Sequence, residues 1–336
     1  MFYSSCNQVD KSTGLIGAGS SFDYPLFSTI FSKYHDKNKV QINYQSIGSG
    51  GGVLQLTNKT IDFGASDAPL NDEQTQGMGA KVLHIPVCIG ATVVSYNIPG
   101  VKDTLNLSPN VLSSIFLGKI KNWDDPEVKK DNPTITFPDL MITVVHRSDG
   151  SGTSFIFTDF LSKVNPEWKN KVGTGTSVNW PVGLGGKGNE GVSGLVKQSP
   201  GSIGYVELSY AMENKMSIAR IENQYGKFIS PTIAAISASA EVKLPTNAKT
   251  SITNTSSSIG YPISSFSWAI IYKEQNYKNR SKEKAQELLQ LFWWVVHGGQ
   301  QYNADLHYAP LPAEAIKITE NILKSATYNG KVILNP

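Results

Sequence analysis

Apolar positions along the chain occur in two patterns, short continuous runs and residues one helical turn apart, and these patterns predict strands followed by helices. Short apolar runs, of which Met141 to Val145 is typical, predict buried strands, and apolar residues one turn apart predict helices. The clearest helix begins near Pro25, a residue that suits a first helical turn. It places four apolar residues on one face: Leu26, Ile30, Phe31 and Tyr34.

The same patterns predict further elements along the whole chain. Strands are expected over residues 40–47, 61–66, 81–98, 201–206 and 263–272. Helices are expected over residues 53–57, 108–119, 155–161, 190–198, 231–240, 281–297 and 312–326, with Gly298 and Gly299 ending the helix 281–297. The run 81–98, interrupted by Pro86 and Gly90, predicts one long strand or two strands joined at a bend. Strands that alternate with helices indicate an α/β fold with mixed sheets.

Length and composition narrow the class of protein. The 336 residues are too many for one common core, so we expect two domains. The net charge of +3 and the lack of a basic run argue against nucleic acid as a partner. No apolar run approaches the ~18 residues that span a bilayer. Two cysteines and five unclustered histidines give no metal-ligand spacing, so neither a metal nor a cofactor is predicted.

The first residues do not decide in which cellular compartment the protein works. Residues 1–6 lack the charged and apolar regions of a signal peptide, so either the protein is cytosolic or its signal peptide has been removed. Two small residues before Cys6 resemble the end of a bacterial lipoprotein signal, where the cysteine carries the lipid. Tyr3 fits that pattern poorly, and a lipid anchor at Cys6 stays an open alternative.

The stretch 146–154 carries the most chemistry. Small residues between a strand and a helix leave unpaired backbone N–H groups at the positive end of the helix dipole, which favours an anion. Arg147 adds a planar fork of donors, suited to phosphate or carboxylate, and Ser151 and Thr153 add hydroxyls. Asp149 fits such a loop if it orients the arginine. The alternative interpretation is an ordinary capped helix after a turn.

Two more turns of small residues, 17–22 and 48–52, follow predicted strands, and Asp67 follows a third. Asp67 can bind a ligand or merely cap the segment that begins at Asn71. The turn 17–22 starts like a dinucleotide fingerprint, but Phe22 stands where the third glycine belongs. The stretch 185–188 is not a phosphate loop, because Gly188 replaces the required serine or threonine.

Together these turns closely resemble the phosphate-binding proteins of bacterial phosphate ABC transporters, members of the periplasmic binding protein family. Seven segments carry the resemblance, in order along nearly the whole chain: 17–22, 47–52, 62–69, 117–123, 147–154, 183–189 and 201–206. The first ten residues fall outside it, and residues 227–260 match only loosely.

The resemblance implies a type II-like fold of two α/β domains, each a mixed sheet flanked by helices, joined by hinge strands around a phosphate cleft. Domain one would comprise residues 1–87 and 262–336, and domain two residues 88–261. The implied phosphate contacts are Ser21, Phe22 through its N–H, Ser49, Asp67, Arg147, Ser151, Gly152 and Thr153, with Asp149 restraining the arginine. The implied role is binding without catalysis, by an exported monomer of the periplasm or cell envelope that delivers phosphate to a membrane permease.

The number of protons that each anion carries near neutral pH supports phosphate as the ligand. Phosphate near neutral pH keeps at least one proton, whose hydrogen bond the carboxylate of Asp67 can accept, whereas sulfate would meet that carboxylate with no proton. Three alternatives stay open: a receptor for another tetrahedral oxyanion, a phosphatase-like enzyme on the same cleft, and an adhesive role at the cell surface. The sequence shows no serine beside an evident His–Asp relay.

Overall fold

A computed structural model describes residues 14–334, so the expectation of a lipid anchor at Cys6 lies outside the described residues. The strands are β1 Leu15–Gly19, β2 Ile42–Ser46, β3 Phe63–Ser66, β4 Val82–Tyr96, β5 Asn106–Leu107, β6 Thr143–Arg147, β7 Leu184–Gly186, β8 Ser202–Glu207, β9 Ser217–Ile218, β10 Arg220–Glu222, β11 Phe228–Ile229, β12 Ser264–Tyr272, β13 Thr327–Tyr328 and β14 Lys331–Val332.

Helices pack against the strands of the main sheet. They are α1 Tyr24–Asn38, α2 Ser49–Thr57, α3 Asp72–Gly77, α4 Pro109–Phe116, α5 Pro126–Asp131, α6 Gly152–Val164, α7 Pro166–Lys171, α8 Gly188–Gln198, α9 Leu208–Glu213, α10 Ile233–Ser239, α11 Lys282–Val296 and α12 Ala313–Lys324. Every helix predicted from the sequence is present. The short helices α3, α5, α7 and α9 were not predicted, because six residues are too few to show helical periodicity.

The main sheet contains nine strands within the described residues. Its order is β2-β1-β3-β12-β4-β8-β6-β7, and β9 pairs with the end of β4. β1 runs parallel to β2 and β3, and β6 runs parallel to β7 and β8, whereas β12 and β8 run antiparallel to β4. The predicted α/β fold with mixed sheets is confirmed.

The strand β4 connects the two portions of this sheet. Its first part, as far as Ala91, pairs with β12, and from Thr92 onward it pairs with β8. The apolar run 81–98 therefore forms one continuous strand of 15 residues, despite Pro86 and Gly90. The N–H of Thr92 on β4 donates to the carbonyl of Ile263, just before β12, at 2.9 Å. The two segments that connect the portions of the sheet therefore lie side by side.

Aromatic side chains fill the core on both sides of that passage. On the side of α1, the ring of Phe63 lies edge-on to Phe27 and Phe292, with centroids 6.4 and 5.0 Å away. On the side of α6, Phe157 stacks on Tyr205 at 4.4 Å. One cluster packs α1 against the sheet and the other packs α6 against it. Both helices follow a turn of small residues, so this packing fixes the positions of the two turns.

The end of α11 differs from expectation. Gly298 and Gly299 do not end the helix in a left-handed turn; they begin a 3₁₀ helix, Gly298–Tyr302. The ring of Trp294 packs 5.3 Å from Tyr34, which places it at the flank of the core. Within residues 14–334 no helix is long and apolar enough to cross a membrane.

Candidate functional site

Four strand ends bring the predicted site residues together. β1, β2 and β3 are parallel neighbours, so the turns that follow them meet at one edge of the sheet, and β6 ends opposite them. Ligands of open α/β sheets bind at the carboxyl ends of the strands. Residues predicted to contact phosphate from both halves of the chain therefore lie side by side.

Arg147 ends β6 and is held in one orientation. Its Nε donates to Oδ1 of Asp149 at 2.8 Å, and its Nη2 donates to Oδ2 at 2.6 Å. Its Nη1 points to Oγ1 of Thr153, 3.3 Å away. Burial alone would raise the pKa of Asp149, but the hydrogen bonds and charge of Arg147 hold that pKa below its ordinary value. The guanidinium is thus fixed along its Nε–Nη2 edge, and the hydrogens of Nη1 and Nη2 that these contacts do not use can donate to a ligand.

The N-terminus of α6 has an ordinary N-cap and also has donors that suit an anion, the two interpretations of the stretch 146–154. The hydroxyl of Ser151 accepts from the N–H of Ser154 at 3.0 Å, so Ser151 is indeed an N-cap. Accepting leaves its hydroxyl hydrogen available for an anion. The N–H of Gly152 donates to Oγ of Ser49 at 3.1 Å. A helix mouth, a hydroxyl and a guanidinium therefore share one small region.

Small residues at these turns allow the two halves to touch. Gly48 has a φ of 81°, a conformation that L side chains rarely adopt, and a Cβ there would lie 2.4 Å from Oδ2 of Asp149. The N–H of Gly50 donates to the carbonyl of Gly150 at 2.9 Å. The turns 48–52 and 148–152 are in backbone contact, which larger residues would prevent.

Asp67 is a buried acceptor rather than a cap. Its Oδ1 accepts from the hydroxyls of Ser20 and Ser267, each at 2.7 Å. The cap of α3 is Asn71, whose Oδ1 accepts from the N–H of Gln74 at 2.8 Å, so the interpretation of Asp67 as a turn cap is wrong. Burial raises the pKa of Asp67 to about 6, against the lowering effects of both hydroxyls and of the Arg147 charge.

The first turn supplies Ser21 and Phe22 as predicted, with their polar groups engaged inside the protein. The N–H of Phe22 donates to Oγ of Ser20 at 2.9 Å. Oγ of Ser21 accepts from the side-chain amide of Asn189 at 2.9 Å. Ser21 can still donate its own hydrogen, whereas Phe22 must share its N–H between Ser20 and any ligand.

Sequence reasoning missed four residues that shape the site. Asn189 lies in the first turn of α8 and contacts Ser21 and Thr153, and in the sequence only the family resemblance indicates its segment. Asp23, Ser267 and Glu207 are buried polar residues behind Asp67, and no motif distinguishes them. Their apolar or turn-like neighbours in the sequence give no sign of burial beside a ligand.

The site offers a fixed cation, Arg147, and a buried carboxylate, Asp67, within the field of that cation, together with hydroxyls and N–H donors. Within residues 14–334 no group of His, Cys, Asp and Glu side chains is arranged to hold a metal ion. This arrangement can bind an anion that also carries a hydrogen to donate.

Comparison with known proteins agrees with this chemistry. Residues 7–294 match the family model of the PBP superfamily domain. The chain is 45% identical over 314 residues to the phosphate-binding protein PstS of Xylella fastidiosa, which covers 92% of this chain and 85% of that protein. It is 40% identical over 319 residues to the phosphate-binding protein PstS of Haemophilus influenzae, with 94% of each chain covered.

Solved structures show the same fold. A high affinity periplasmic phosphate-binding protein, PfluDING, solved with bound phosphate, superimposes with a TM-score of 0.73, covering 92% of this chain and 93% of that one. At 18% identity, that likeness concerns the fold alone. The family match and the identity to its relatives place this protein: the chain belongs to the PBP superfamily and, within it, to the family of phosphate-binding proteins.

Proposed function

We propose that this protein binds inorganic phosphate between the turn that follows β3 and the turn that precedes α6, and that it delivers phosphate to the permease of an ABC importer. One observation carries the proposal: the buried acceptor Asp67 lies within the field of the Arg147 guanidinium, whose charge opposes the rise that burial causes in the pKa of Asp67. A ligand between them must accept from one side and donate to the other. Phosphate does both near neutral pH, whereas sulfate only accepts.

The ligand contacts follow from the groups that converge there. Hydrogen bonds to phosphate would come from the predicted set, Ser21, Phe22 N–H, Ser49, Asp67, Arg147, Ser151, Gly152 N–H and Thr153. Asp149 would act through the arginine by fixing its orientation. The same pairing separates phosphate from other tetrahedral oxyanions, because a buried carboxylate that meets no donor is costly.

We also propose that the chain consists of two domains that close on the ligand. The division would fall near residues 87/88 and 261/262, where β4 and the segment before β12 pass between the two portions of the sheet. Ser49 and Gly152 come from opposite sides of that division and hydrogen-bond directly. Contacts of this kind stabilise a closed state, as in the hinge closures of binding proteins.

The periplasmic phosphate-binding protein that shares this fold supports a location outside the cytoplasm. We propose that the protein works in the periplasm or cell envelope as a monomer, with no nucleic-acid partner, and that Cys6 is a candidate for lipid attachment. Mass spectrometry of the protein isolated from its native cells would show a lipid on Cys6 or an unmodified thiol.

Calorimetric titration tests the function. Protein unfolded, dialysed free of anions and refolded should bind phosphate with one site per chain and should bind sulfate far more weakly. Arg147→Ala should abolish the signal, and Arg220→Ala, at an exposed position on β10, should leave it unchanged. Equal affinity for phosphate and sulfate would contradict the proposal. Turnover of p-nitrophenyl phosphate by the pure protein would favour the phosphatase-like alternative.

A further inference from the structure

Asp23 occupies the N-cap position of α1 but does not cap the helix. Its backbone is helical, with φ −84° and ψ −10°, and within residues 14–334 its side chain makes no cap hydrogen bond. An aspartate at this position ordinarily accepts from the second or third N–H of the helix. Here the carboxyl turns inward and is fully buried. A buried carboxyl needs a partner, and its partner also contacts Asp67.

That partner is a hydroxyl shared by two carboxyl groups. Oγ of Ser267 lies 2.7 Å from Oδ2 of Asp23 and also 2.7 Å from Oδ1 of Asp67. A serine hydroxyl has one hydrogen, so it can donate to only one of them. If both carboxyls were ionised, one pair of oxygens would meet at 2.7 Å with no hydrogen between them. One of the two carboxyl groups must therefore carry a proton.

The surroundings decide which of the two carries it. Asp67 accepts from Ser20 as well as Ser267 and lies within the field of Arg147, and each of these favours its ionised form. Asp23 is next to the Cys88 thiol, 3.7 Å away. Burial raises the pKa of Asp23 well above its ordinary value, and the charge of Asp67 raises it further, against the lowering effect of the hydrogen bonds from Ser267 and Cys88.

The titratable groups that face Asp23 carry no positive charge. The groups that face it from other elements are Tyr44, Asp67, Cys88, Glu207 and Tyr308. None of these five is a cation. The Cys88 thiol donates a weak hydrogen bond to Oδ1 of Asp23, which favours the ionised form, but burial and the charge of Asp67 outweigh it.

We infer that Asp23 is a carboxylic acid that holds a proton at neutral pH, and that it acts through Ser267 to keep Asp67 an ionised acceptor for the hydroxyl of the ligand. The hydroxyl of Asp23 donates to Oγ of Ser267, and the hydrogen of Ser267 then points to Asp67. Asp23 is thus a positioning residue for ligand selectivity, and this role rests on the proposed phosphate site.

The proton on Asp23 can be observed without any ligand. Protein labelled with ¹³C at the aspartate carboxyl should show one resonance that stays at the position of a protonated acid at pH 7. That resonance should be missing from Asp23→Asn and present in Asp36→Asn, a variant of an exposed aspartate on the same helix. A carboxylate shift for Asp23 at pH 7, with Asp67 protonated instead, would overturn the inference.

Binding measurements then test the positioning role. Asparagine has the shape of aspartic acid and an N–H that can donate to Ser267, so Asp23→Asn should bind phosphate within about twofold of the parent at pH 7. Asp23→Ala cannot donate, and its phosphate affinity should fall about fivefold, the scale of one neutral hydrogen bond. Asp36→Ala is the matched control and should bind like the parent.

The two proposals fail in different ways. If the parent protein bound no phosphate, the proposed function would be wrong, while the ¹³C spectrum would still report where the proton lies. If the parent bound phosphate but Asp23→Ala bound it equally well, the positioning role would be refuted. Should Asp23→Ala not fold, the pH titration of the Asp23 resonance in the parent still decides the protonation state.

Discussion

The side-chain amide of Asn189 donates to the hydroxyl of Ser21 across 2.9 Å, although the two residues are 168 positions apart. The same amide reaches Oγ1 of Thr153 at 3.3 Å, and its oxygen accepts from the N–H of Glu207 at 2.9 Å. Asn189 is fully buried. One side chain therefore ties the first turn, the mouth of α6 and the end of β8 together behind the candidate site.

We expect Asn189→Ala to destabilise the protein by about 1–3 kcal/mol, because it leaves the buried N–H of Glu207 without an acceptor. Phosphate affinity should also fall, because Ser21 and Thr153 lose their common partner. Denaturant unfolding and calorimetry would measure the two effects. Asn110→Ala, at an exposed position on α4, is the control. A variant of Asn189 with parental stability would mean that its hydrogen bonds are replaced by others.

Arg147→Lys should weaken phosphate binding by about 1.5–3 kcal/mol, the scale of a hydrogen bond to a charged group. Lysine keeps the charge, but it cannot pair with Asp149 along one edge and offer further donors of the same planar group to the ligand. Calorimetric titration measures the loss, and Arg220→Lys, at an exposed position on β10, is the matched control. Parental affinity in Arg147→Lys would remove the guanidinium from the site.

Asp67→Asn should relax selectivity. Asparagine has the same shape but can turn its NH₂ toward the anion, so sulfate should gain affinity while phosphate changes little. Because the pKa of Asp67 is about 6, the parent should also bind sulfate better as the pH falls below that value, and the variant should not show this rise. Competition titrations at constant ionic strength test both points. A phosphate-to-sulfate ratio that the substitution leaves unaltered would show that Asp67 does not sense the proton of the ligand.

Glu207 should make the protein less stable as the pH rises. Burial raises its pKa from 4.5 to about 8, so between these values the native state keeps a proton that the unfolded chain releases. Its stabilising contribution is therefore complete below about pH 4.5 and is lost as the pH approaches 8. Each pH unit in this window changes the free energy of unfolding by up to about 1.4 kcal/mol.

Glu207→Gln removes that titration and should flatten the dependence of unfolding free energy on pH between 5 and 8, the window set by the two pKa values. Urea unfolding at several pH values measures the slope. Glu241→Gln, at an exposed position, should keep the slope of the parent. An equally steep slope in Glu207→Gln would assign the pH dependence to other buried acids, Asp23 first among them.

Small-angle scattering should show a smaller radius of gyration with phosphate than without it, because the ligand groups come from both halves of the chain. The contact between Gly50 and Gly150 offers a control, since it forms only when the halves meet. Gly150→Val should hinder that contact and reduce the difference between the two curves. Superimposable curves for the stripped and phosphate-bound parent would argue against closure.

The sequence by itself determined the elements and their order. The spacing of apolar residues predicted α1, β4, α6 and α11, since each buries a periodic face or a continuous apolar run that local residues specify. Small residues before α1, α2 and α6, together with Arg147, indicated an anion site, because these features depend on residue type and on local backbone geometry. The proton argument for Asp67 likewise needs only the chemistry of a carboxylate.

Only the tertiary structure decided which buried polar groups meet. Asp67 could equally have capped α3, and the burial that excludes this comes from β12, which lies 200 residues away in the sequence at Ser267. Asp23 has the local features of a helix cap, yet its carboxyl points inward to Cys88 on β4 and Ser267 on β12. Asn189 joins three loops that are distant in sequence. Hydrogen-bond partners and desolvation depend on such long-range contacts, and no local pattern encodes them.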